Sequence, residues 1–305
     1  MSQMLRPSDP DWPPRLNELG PWPRPECLYL QGRALDNERT HVAIVGTRRP
    51  TRAGIEVAER LGRELAEAGF VIVSGLALGI DSAAHGAALR AGGRTIAVVG
   101  CGVDVVYPAR NKKLRDEIAE KGTLISEYAD GTEPATWRFP QRNRIVAGLS
   151  SGVIVVEGAA KSGAAITANR AVDCNRAVFA VPGSIRNVMA RTPNELIRTS
   201  QATLITEPRH VFEDLAPGVI WEQRFSNVSS PHQPELEEIE QRVLELLDDA
   251  PTPADRIRLD LGERSGAVAL ALSCLEVRGL ALRRTAGYEI TGAGARVRSA
   301  LLGYP

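Results

Sequence analysis

Residues 42–85 read V-A-I-V-G-T-R-R-P, then a helix-like run, then V-I-V-S-G-L-A-L-G-I-D-S-A-A-H. Two short apolar runs, 42–45 and 71–73, each end in a polar loop that contains glycine and leads into a helical pattern. Adjacent parallel strands place such loops side by side, where the free backbone N–H groups of helix N-termini attract anions. The first loop adds two guanidiniums, Arg48 and Arg49, which match phosphate oxygens in pairs. The stretch therefore predicts a phosphate-binding crevice.

Strand and helix patterns alternate from this stretch to about residue 215. Most strand candidates are continuous apolar runs, which is typical of parallel strands covered by helices on both faces. The alternation predicts a doubly wound, mostly parallel, Rossmann-like α/β sheet over residues 41–215, with ligands at the carboxyl ends of the strands. The strand candidates are 42–45, 70–74, 95–99, 123–126, 153–157, 177–181 and 203–205, and the helix candidates are 55–68, 83–91, 112–121, 144–149, 166–174 and 195–198.

The segments outside this region differ in composition. Residues 1–40 are rich in Pro and Trp, which predicts an extended lead-in because Pro blocks helix interiors. Residues 216–234 contain Pro, Ser and Asn and predict a linker. Residues 235–305 predict three helices followed by a hairpin near 285–287, the order of a winged-helix domain. The third of these helices carries Glu276 and a single Arg at its end, which favours protein docking over DNA reading.

The charge distribution points to an anionic ligand for the middle of the chain. Net charge is zero over 305 residues, but residues 138–198 contain nine Arg or Lys against three acidic residues. Residues 235–305 contain nine basic and twelve acidic residues. The four cysteines have no metal-like spacing, no apolar run approaches the roughly 18 residues that span a bilayer, and the N-terminus does not resemble a signal peptide. These features predict a cytoplasmic protein with no membrane partner.

Several loops supply groups suited to phosphate. Arg142 and Arg144 lie on either side of an Asn at a helix start, and at least one of the two arginines is expected to tie loops together instead of binding ligand. Phe139 and Trp137 offer stacking faces for bases, an arrangement that suits single-stranded nucleic acid. The predicted phosphate-binding residues are Gly46, Thr47, Arg48, Arg49, Ser74, Gly75, Gly79, Arg142, Asn143, Arg144, Lys161, Ser162, Gly163 and Thr167.

No catalytic, metal or cofactor motif accompanies these loops. The loop at Gly100 begins like a dinucleotide-binding fingerprint but lacks its third glycine and its acidic partner. Walker A, HExxH and GxSxG motifs are also missing from the sequence. Cys101 has no plausible His nearby, and His85 is expected on the buried face of a helix. The sequence therefore predicts no catalytic residue, no metal and no cofactor, and favours a binding protein over an enzyme.

Seven motifs occur in order between about residues 42 and 204. They read V-A-I-V-G-T-R, S-G-L-A-L-G-I-D-x-x-A-H, A-V-V-G-C-G-V-D-V-V-Y-P-x-x-N, S-E-Y-x-x-G-T, F-P-x-R-N-R-I-V-A-G-L-S, V-V-E-x-A-x-K-S-G-A-A-I-T-A and V-F-A-V-P-G-S. This set resembles the DNA-processing protein A family, also called DprA or Smf. The resemblance implies a Rossmann-like domain that binds single-stranded DNA cooperatively, forms a homodimer through that domain, and loads RecA recombinase onto incoming strands during natural transformation, without enzymatic turnover.

The resemblance also assigns positions. Gly46, Arg48, Ser74, Gly75, Arg142, Arg144, Lys161, Ser162 and Gly163 match the pocket motifs of the family, and contact with DNA phosphate is implied above all for Arg48 and Lys161. Three positions depart from the family pattern. Asn175 and Ser200 stand where Gly is usual, and the segment Arg191-Thr192-Pro193-Asn194 lacks the Gly that usually precedes the Asn.

Two alternative functions would use the same crevice. Rossmann-like phosphoribohydrolases cleave nucleotide N-glycosidic bonds and carry P-G-G-x-G-T-x-x-E, but here the stretch from Pro182 reads P-G-S-I-R-N, without those glycines or the Glu. A nucleotide-sensing regulator would bind a mononucleotide in the crevice and use the winged helix as its output.

Overall fold

Nine strands form one sheet in the first of two units. The computed structural model describes residues 2–216 and 236–302, and the chain divides into units Met1–Asn227 and Val228–Pro305. The sheet order is β1-β2-β6-β5-β4-β3-β7-β8-β9. The strands are β1 Gln3–Leu5, β2 Leu28–Gly32, β3 His41–Val45, β4 Val71–Ser74, β5 Thr95–Val98, β6 Thr123–Ser126, β7 Gly152–Val155, β8 Ala177–Ala180 and β9 Thr203–Leu204.

The order in which strands are added to the sheet reverses at β3. Strands β3 to β9 run parallel, and β4, β5 and β6 extend the sheet on one side of β3 while β7, β8 and β9 extend it on the other. The connections after β3 and β7 therefore diverge at the carboxyl ends of neighbouring strands and leave a crevice. This arrangement confirms the predicted doubly wound, mostly parallel sheet.

Helices cover both faces of the sheet. Helices α1, α2, α3 and α7 pack on one face, and α4, α5 and α6 pack on the other. Because both faces are covered, strands such as β3, β4 and β7 are buried at every residue and consist of continuous apolar runs with few exceptions. The helices are α1 Arg52–Glu67, α2 Ile80–Arg90, α3 Lys112–Lys121, α4 Arg138–Leu149, α5 Gly163–Asp173, α6 Arg191–Arg198 and α7 Pro208–Leu215, with 3-10 turns at Pro14–Asn17, Ala109–Asn111 and Val188–Ala190.

The segment predicted as an extended lead-in, residues 1–40, contributes two strands to this sheet. Its strand β2 pairs antiparallel with β6, and β1 pairs antiparallel with β2 at the edge of the sheet. Trp12, Leu16 and Leu19 are buried in the same core as α4 and α5. The prolines set extended backbone while the apolar side chains between them bury against α4 and α5, so the segment folds with the sheet.

Among its described residues, the second unit has the predicted order of three helices and a β-ribbon. Its core contains Val243, Ile257, Leu272, Leu275 and Ile290. A fourth helix closes the unit, and the sequence did not predict it because G-A-G-A-R-V-R-S-A-L contains two glycines of low helix propensity. The elements are α8 Glu238–Leu246, α9 Ala254–Leu261, α10 Ser265–Val277, β10 Ala281–Arg284, β11 Gly287–Ile290 and α11 Gly292–Leu301.

Other sequence expectations concern single segments. The predicted linker, residues 216–234, lies outside the described residues except for Ala216. In the described parts of the chain, no helix is both long enough and apolar enough to cross a membrane. The same parts contain no group of three or more His, Cys, Asp or Glu side chains arranged to hold a metal ion.

Candidate functional site

A cavity of about 290 Å³ lies at the carboxyl end of β3, beside the start of α5, the helix that follows β7, and we call it the switch-point cavity. The loops after β3 and β4 and the first turns of α4 and α5 surround it. Eight of the residues predicted from sequence line it together: Gly46, Arg48, Gly75, Phe139, Arg142, Asn143, Gly163 and Thr167. Motifs separated by more than 100 residues therefore converge on one cavity.

Arg48 brings an exposed guanidinium to the cavity beside an aromatic surface. Its Cζ lies 5.7 Å from the centroid of the Phe139 ring. Phe139 in turn stacks on Tyr107, with ring centroids 5.3 Å apart and an interplanar angle of 25°. No ion pair joins Arg48 to any carboxylate of the described residues. The guanidinium is thus available to an anion, and the neighbouring rings are available to a planar group.

Arg142 forms the buried wall of the cavity. Its guanidinium donates hydrogen bonds to the carbonyl oxygens of Gly75, at 2.7 Å, and Val98. Burial lowers the pKa of Arg142 to about 10, the charge of Asp81 opposes that shift, and Arg48 adds to it. Arg142 therefore remains cationic at neutral pH, and its charge lies close to that of Arg48. An anion in the cavity would interact favourably with both.

Asp81 balances this charge from beneath the loop after β4. Its Oδ2 accepts hydrogen bonds from the backbone N–H groups of Gly75, at 3.1 Å, and Ala77, at 3.3 Å. Burial raises the pKa of Asp81, while Arg142 and these hydrogen bonds act in the opposite direction. The carboxyl group orders the loop that forms one side of the cavity.

Glycines allow the backbone to approach ligand and neighbours closely. A Cβ on Gly75 would lie 2.5 Å from the Arg142 guanidinium, and a Cβ on Gly79, where φ is +87°, would clash with the carbonyl oxygen of Thr47. These two glycines are required by packing. A Cβ on Gly163 would meet nothing within 4 Å, so the first turn of α5 opens directly into the cavity.

Short polar side chains at the rim mainly order the loops. Thr47 Oγ1 accepts from the backbone N–H of Arg49, whose own side chain is exposed. Ser162 caps α5 by accepting from the N–H of Ala165 at 3.4 Å. Thr167 is buried and its hydroxyl donates to the carbonyl oxygen of Gly163. Asn143 also donates to that oxygen, at 3.4 Å.

Two residues of the predicted site are taken up by the fold. Ser74 is fully buried and its hydroxyl donates to the carbonyl oxygen of Ile44 at 2.7 Å. Arg144 points away from the cavity and makes a two-pronged ion pair with Glu127, at 2.8 and 2.6 Å, while its Nε donates to Pro23 O at 2.9 Å. This is the loop-tying role expected for at least one of the two arginines. We therefore do not count Ser74 and Arg144 among the residues that could contact a ligand in the switch-point cavity.

Two further predicted residues lie elsewhere on the surface. Lys161 lines a second cavity on the other side of α5, and Trp137 lines neither cavity. Trp137 is 55% exposed, with Tyr128 edge-on at 6.4 Å and the Arg138 guanidinium 5.0 Å from its ring centroid. The structure instead supplies Tyr107 as the second aromatic residue of the switch-point cavity. The sequence did not single out Tyr107 as a site residue, although it follows the glycine loop at the end of β5.

The groups considered as reactive in the sequence are buried. Burial raises the pKa of the Cys101 thiol to about 11, which disfavours a thiolate nucleophile. Burial lowers the pKa of His85 to about 3, with Arg142 contributing, and its Nδ1 lies 2.6 Å from Thr95 Oγ1. His85 does not line the cavity.

Comparison with known proteins agrees with this arrangement. The family described as DNA recombination-mediator protein A matches residues 3–216, and the DprA winged helix domain matches residues 228–287. The chain is 49% identical to Protein Smf of Synechocystis over 60% of this chain and 46% of that protein. It is 45% identical to DNA processing protein DprA of Bacillus subtilis over 63% of this chain and 64% of that protein. The chain thus spans about half to two thirds of these two relatives.

Solved structures of such proteins have the same fold. DNA processing protein A of Streptococcus pneumoniae is 41% identical, with a TM-score of 0.67 over 70% of this chain and 74% of that one. DNA processing protein A of Helicobacter pylori, whose structure is described for its single-stranded DNA binding mode, is 34% identical, with a TM-score of 0.62 over 70% of this chain and 95% of that one. The family models cover the sheet, the cavity and the winged helix, and the chain belongs to the DNA recombination-mediator protein A family.

Proposed function

We propose that the chain binds single-stranded DNA in the switch-point cavity and passes it to RecA recombinase. The observation that carries the proposal is the Arg48 guanidinium, which is exposed, has no carboxylate partner in the described residues and lies beside the Phe139 ring. A guanidinium next to a stacked aromatic pair suits a phosphate with an unstacked base, which a single strand offers and a duplex hides. The single-stranded DNA binding described for the Helicobacter pylori relative supports the same ligand here.

The buried charge of Arg142 strengthens attraction for the strand. A cation held in a protein wall is screened less than a surface charge, so it adds to the positive potential at the cavity. The open space above Gly163 leaves room for the sugar–phosphate backbone at the start of α5. Direct contact with the strand is proposed for Arg48, Phe139, Tyr107 and the backbone of Gly163, and longer-range attraction for Arg142.

We propose that binding occurs without turnover. Asp81 is the one carboxyl group that lines the cavity among the described residues, and backbone N–H groups engage it as a loop-ordering group. The Cys101 thiol and the His85 imidazole are buried away from it. Incubation with single-stranded DNA and with nucleoside monophosphates should leave both intact by chromatography; release of free base would instead indicate N-glycosidic hydrolysis.

Family membership supports the remaining parts of the proposed role. We propose a homodimer formed through the sheet unit, RecA as the protein partner, and the cytoplasm during natural transformation as the setting. In the second unit, α10 contains no Lys or Arg and exposes Leu270 and Val277, at 66% and 88%. A helix that reads DNA in the major groove needs polar and basic side chains at such positions, so we assign this surface to protein contact.

The test is fluorescence-anisotropy binding to a single-stranded oligonucleotide. Arg48→Ala should weaken binding about tenfold or more, because it removes a charge-assisted contact worth about 1.5–3 kcal/mol. Arg90→Ala is the control: Arg90 is an exposed arginine at the C-terminal end of α2, where it pairs with Glu59 at 2.9 Å and does not line the switch-point cavity. Equal affinities of Arg48→Ala and wild type would refute the assignment of the site.

A further inference from the structure

Glu157 joins the loops that follow three strands of the sheet. It lies just after β7 and is only 7% exposed. It belongs to the motif V-V-E-x-A-x-K-S-G-A-A-I-T-A, is not among the predicted phosphate-binding residues, and does not line the switch-point cavity. A buried carboxylate needs hydrogen-bond donors around it, and those donors show which parts of the chain Glu157 holds in place.

Both ends of the short turn that carries Arg48 are hydrogen-bonded to Glu157. At the start of the turn, the backbone N–H of Thr47 donates to the carbonyl oxygen of Glu157 at 2.7 Å. At its end, the backbone N–H and the hydroxyl of Thr51 donate to the two carboxylate oxygens at 2.8 and 2.6 Å. Arg48 therefore extends from a turn that a single residue fixes on both sides.

The same carboxylate also contacts the loop after β8 and the start of α1. Asn187 Nδ2 donates to its Oε1 at 3.2 Å. The Thr51 hydroxyl, which donates to Glu157, also accepts from the backbone N–H of Gly54 at 3.0 Å and so caps α1. A Cβ on Gly54 would lie 2.5 Å from the carboxylate, so this glycine leaves the space that the carboxylate fills.

These contacts decide which anion meets the N-terminus of α1. In doubly wound sheets, the helix that follows the first parallel strand commonly offers its free N–H groups to a phosphate. Here the Glu157 carboxylate and the Thr51 hydroxyl accept from the N–H groups of Thr51 and Gly54. A carboxylate of the chain itself therefore occupies that place, and a bound phosphate is left to the Arg48 guanidinium and the open first turn of α5.

We propose that Glu157 is a positioning residue for single-strand binding: it acts as a built-in anion at the start of α1 and fixes the turn from which Arg48 reaches the DNA phosphate. The inference rests on the proposed function. A turn that is ordered before binding presents its guanidinium at a lower entropic cost than a mobile one. The negative charge of Glu157 by itself opposes the approach of DNA, so its positioning effect and its electrostatic effect on affinity have opposite signs.

The experiment measures binding of a single-stranded oligonucleotide by fluorescence anisotropy. Glu157→Gln should weaken binding several-fold, because the amide places an NH₂ group where Thr51 donates, although loss of a negative charge alone would strengthen binding. Thr51→Val removes the hydroxyl without a change in net charge and should also weaken binding, and Thr51→Ser should restore most of the affinity. Glu117→Gln is the control: it makes the same change at an exposed carboxylate of α3, paired with Lys121, and should not weaken binding.

A double-mutant cycle with Arg48→Ala tests whether Glu157 acts through Arg48. In the Arg48→Ala background, Glu157→Gln should have little further effect on affinity, because the guanidinium that it positions has been removed. Thermal unfolding checks that each variant is folded. If Glu157→Gln does not fold, Thr51→Val in the two backgrounds supplies the same test.

The outcomes distinguish this inference from the proposed function. Affinity of Glu157→Gln or Thr51→Val that equals or exceeds that of wild type, while Arg48→Ala binds weakly, would overturn the positioning role alone. Equal weakening by Glu157→Gln in the wild-type and Arg48→Ala backgrounds would also overturn it, since the effect would not pass through Arg48. Wild-type binding by Arg48→Ala would overturn the proposed function and this role with it.

Discussion

Arg144→Met should destabilise the first unit strongly and leave DNA binding by the folded protein unchanged. The Arg144 and Glu127 side chains are only 9% and 15% exposed, and two N–O contacts of 2.8 and 2.6 Å join them. Removing one partner of such a buried pair leaves the other charge without compensation, at a cost of about 3–5 kcal/mol. The same change removes the hydrogen bond from Arg144 Nε to Pro23 O, which ties α4 to the N-terminal segment.

A double-mutant cycle separates the contribution of the ion pair to stability from the contribution of packing by the aliphatic part of the Arg144 side chain. Glu127→Gln keeps an acceptor for Arg144 and should cost about 1–3 kcal/mol, the usual effect of weakening a hydrogen bond to a charged group. The double variant should be less destabilised than the sum of the two single variants by about 2 kcal/mol, since no unpaired charge remains. Urea unfolding followed by tryptophan fluorescence measures these values for the first unit, because the second unit contains no tryptophan.

Two results would contradict this role for Arg144. A destabilisation below about 1 kcal/mol in Arg144→Met would place the pair among weak surface ion pairs. A fall in affinity for single-stranded DNA as large as that of Arg48→Ala, without a change in stability, would show that Arg144 contacts the DNA.

Backbone conformation, titration and open space each give a further prediction. Ser200→Gly should raise the free energy of unfolding by about 1 kcal/mol in a urea titration, because Ser200 has φ of +56° after the end of α6. Asn175→Gly should raise it less, since Asn tolerates its φ of +53°. An unchanged free energy of unfolding in Ser200→Gly would contradict this reasoning. In the folded protein His85 has a pKa of about 3 and is neutral, whereas in the unfolded chain it becomes protonated below about pH 6.5. The contribution of His85 to stability is therefore fully present above about pH 6.5 and falls by about 2 kcal/mol by about pH 5. His85→Asn, which can still hydrogen-bond Thr95, should flatten this decline, and an unchanged pH profile would show that other groups cause it. Gly163→Leu should preserve the thermal midpoint but weaken binding of single-stranded DNA in anisotropy, because its side chain fills open space in the cavity; retained binding would place the strand elsewhere.

The sequence predicts the sheet well because burial on both faces leaves a local signal. All seven predicted strands are present. Apolar runs separated by helical patterns mark β3 to β8, whereas β9 consists of two exposed residues, Thr203 and Leu204. The sequence did not predict strand β1, which has three residues and a single buried side chain, Leu5. This strand is stabilised by its pairing with β2 at the edge of the sheet, which no local pattern reports. Helix α11 was missed for a related reason, because packing in the second unit outweighs the low propensity of its glycines.

The site could be predicted as a set of loops but not as a set of side-chain directions. Arg48, Gly75, Arg142 and Gly163 converge because their loops end parallel strands at one edge of the sheet. The role of Arg144 depends on Pro23, which is 121 positions away in sequence, and on Glu127, and no local pattern reports that proximity. Such contacts become visible only when the fold brings the partners together.

At two of the three positions that depart from the family pattern, the backbone shows why Gly is usual. Asn175 and Ser200 follow the ends of α5 and α6 and adopt the left-handed conformation that ends many helices. Glycine satisfies this conformation without strain, which accounts for its usual presence there. Spacing alone predicts that a helix ends near these positions but does not give the sign of φ.

Single-strand binding in the switch-point cavity is tested most directly by a salt titration of wild type and Arg48→Ala with matched single- and double-stranded oligonucleotides. Wild type should prefer the single strand, and its affinity should fall as salt rises, because phosphate contacts release counterions. In Arg48→Ala the slope for the single strand should be smaller by about 0.7, which corresponds to one phosphate contact. Weak binding that ignores strandedness, or an unchanged slope in Arg48→Ala, would contradict the claim that the switch-point cavity holds single-stranded DNA.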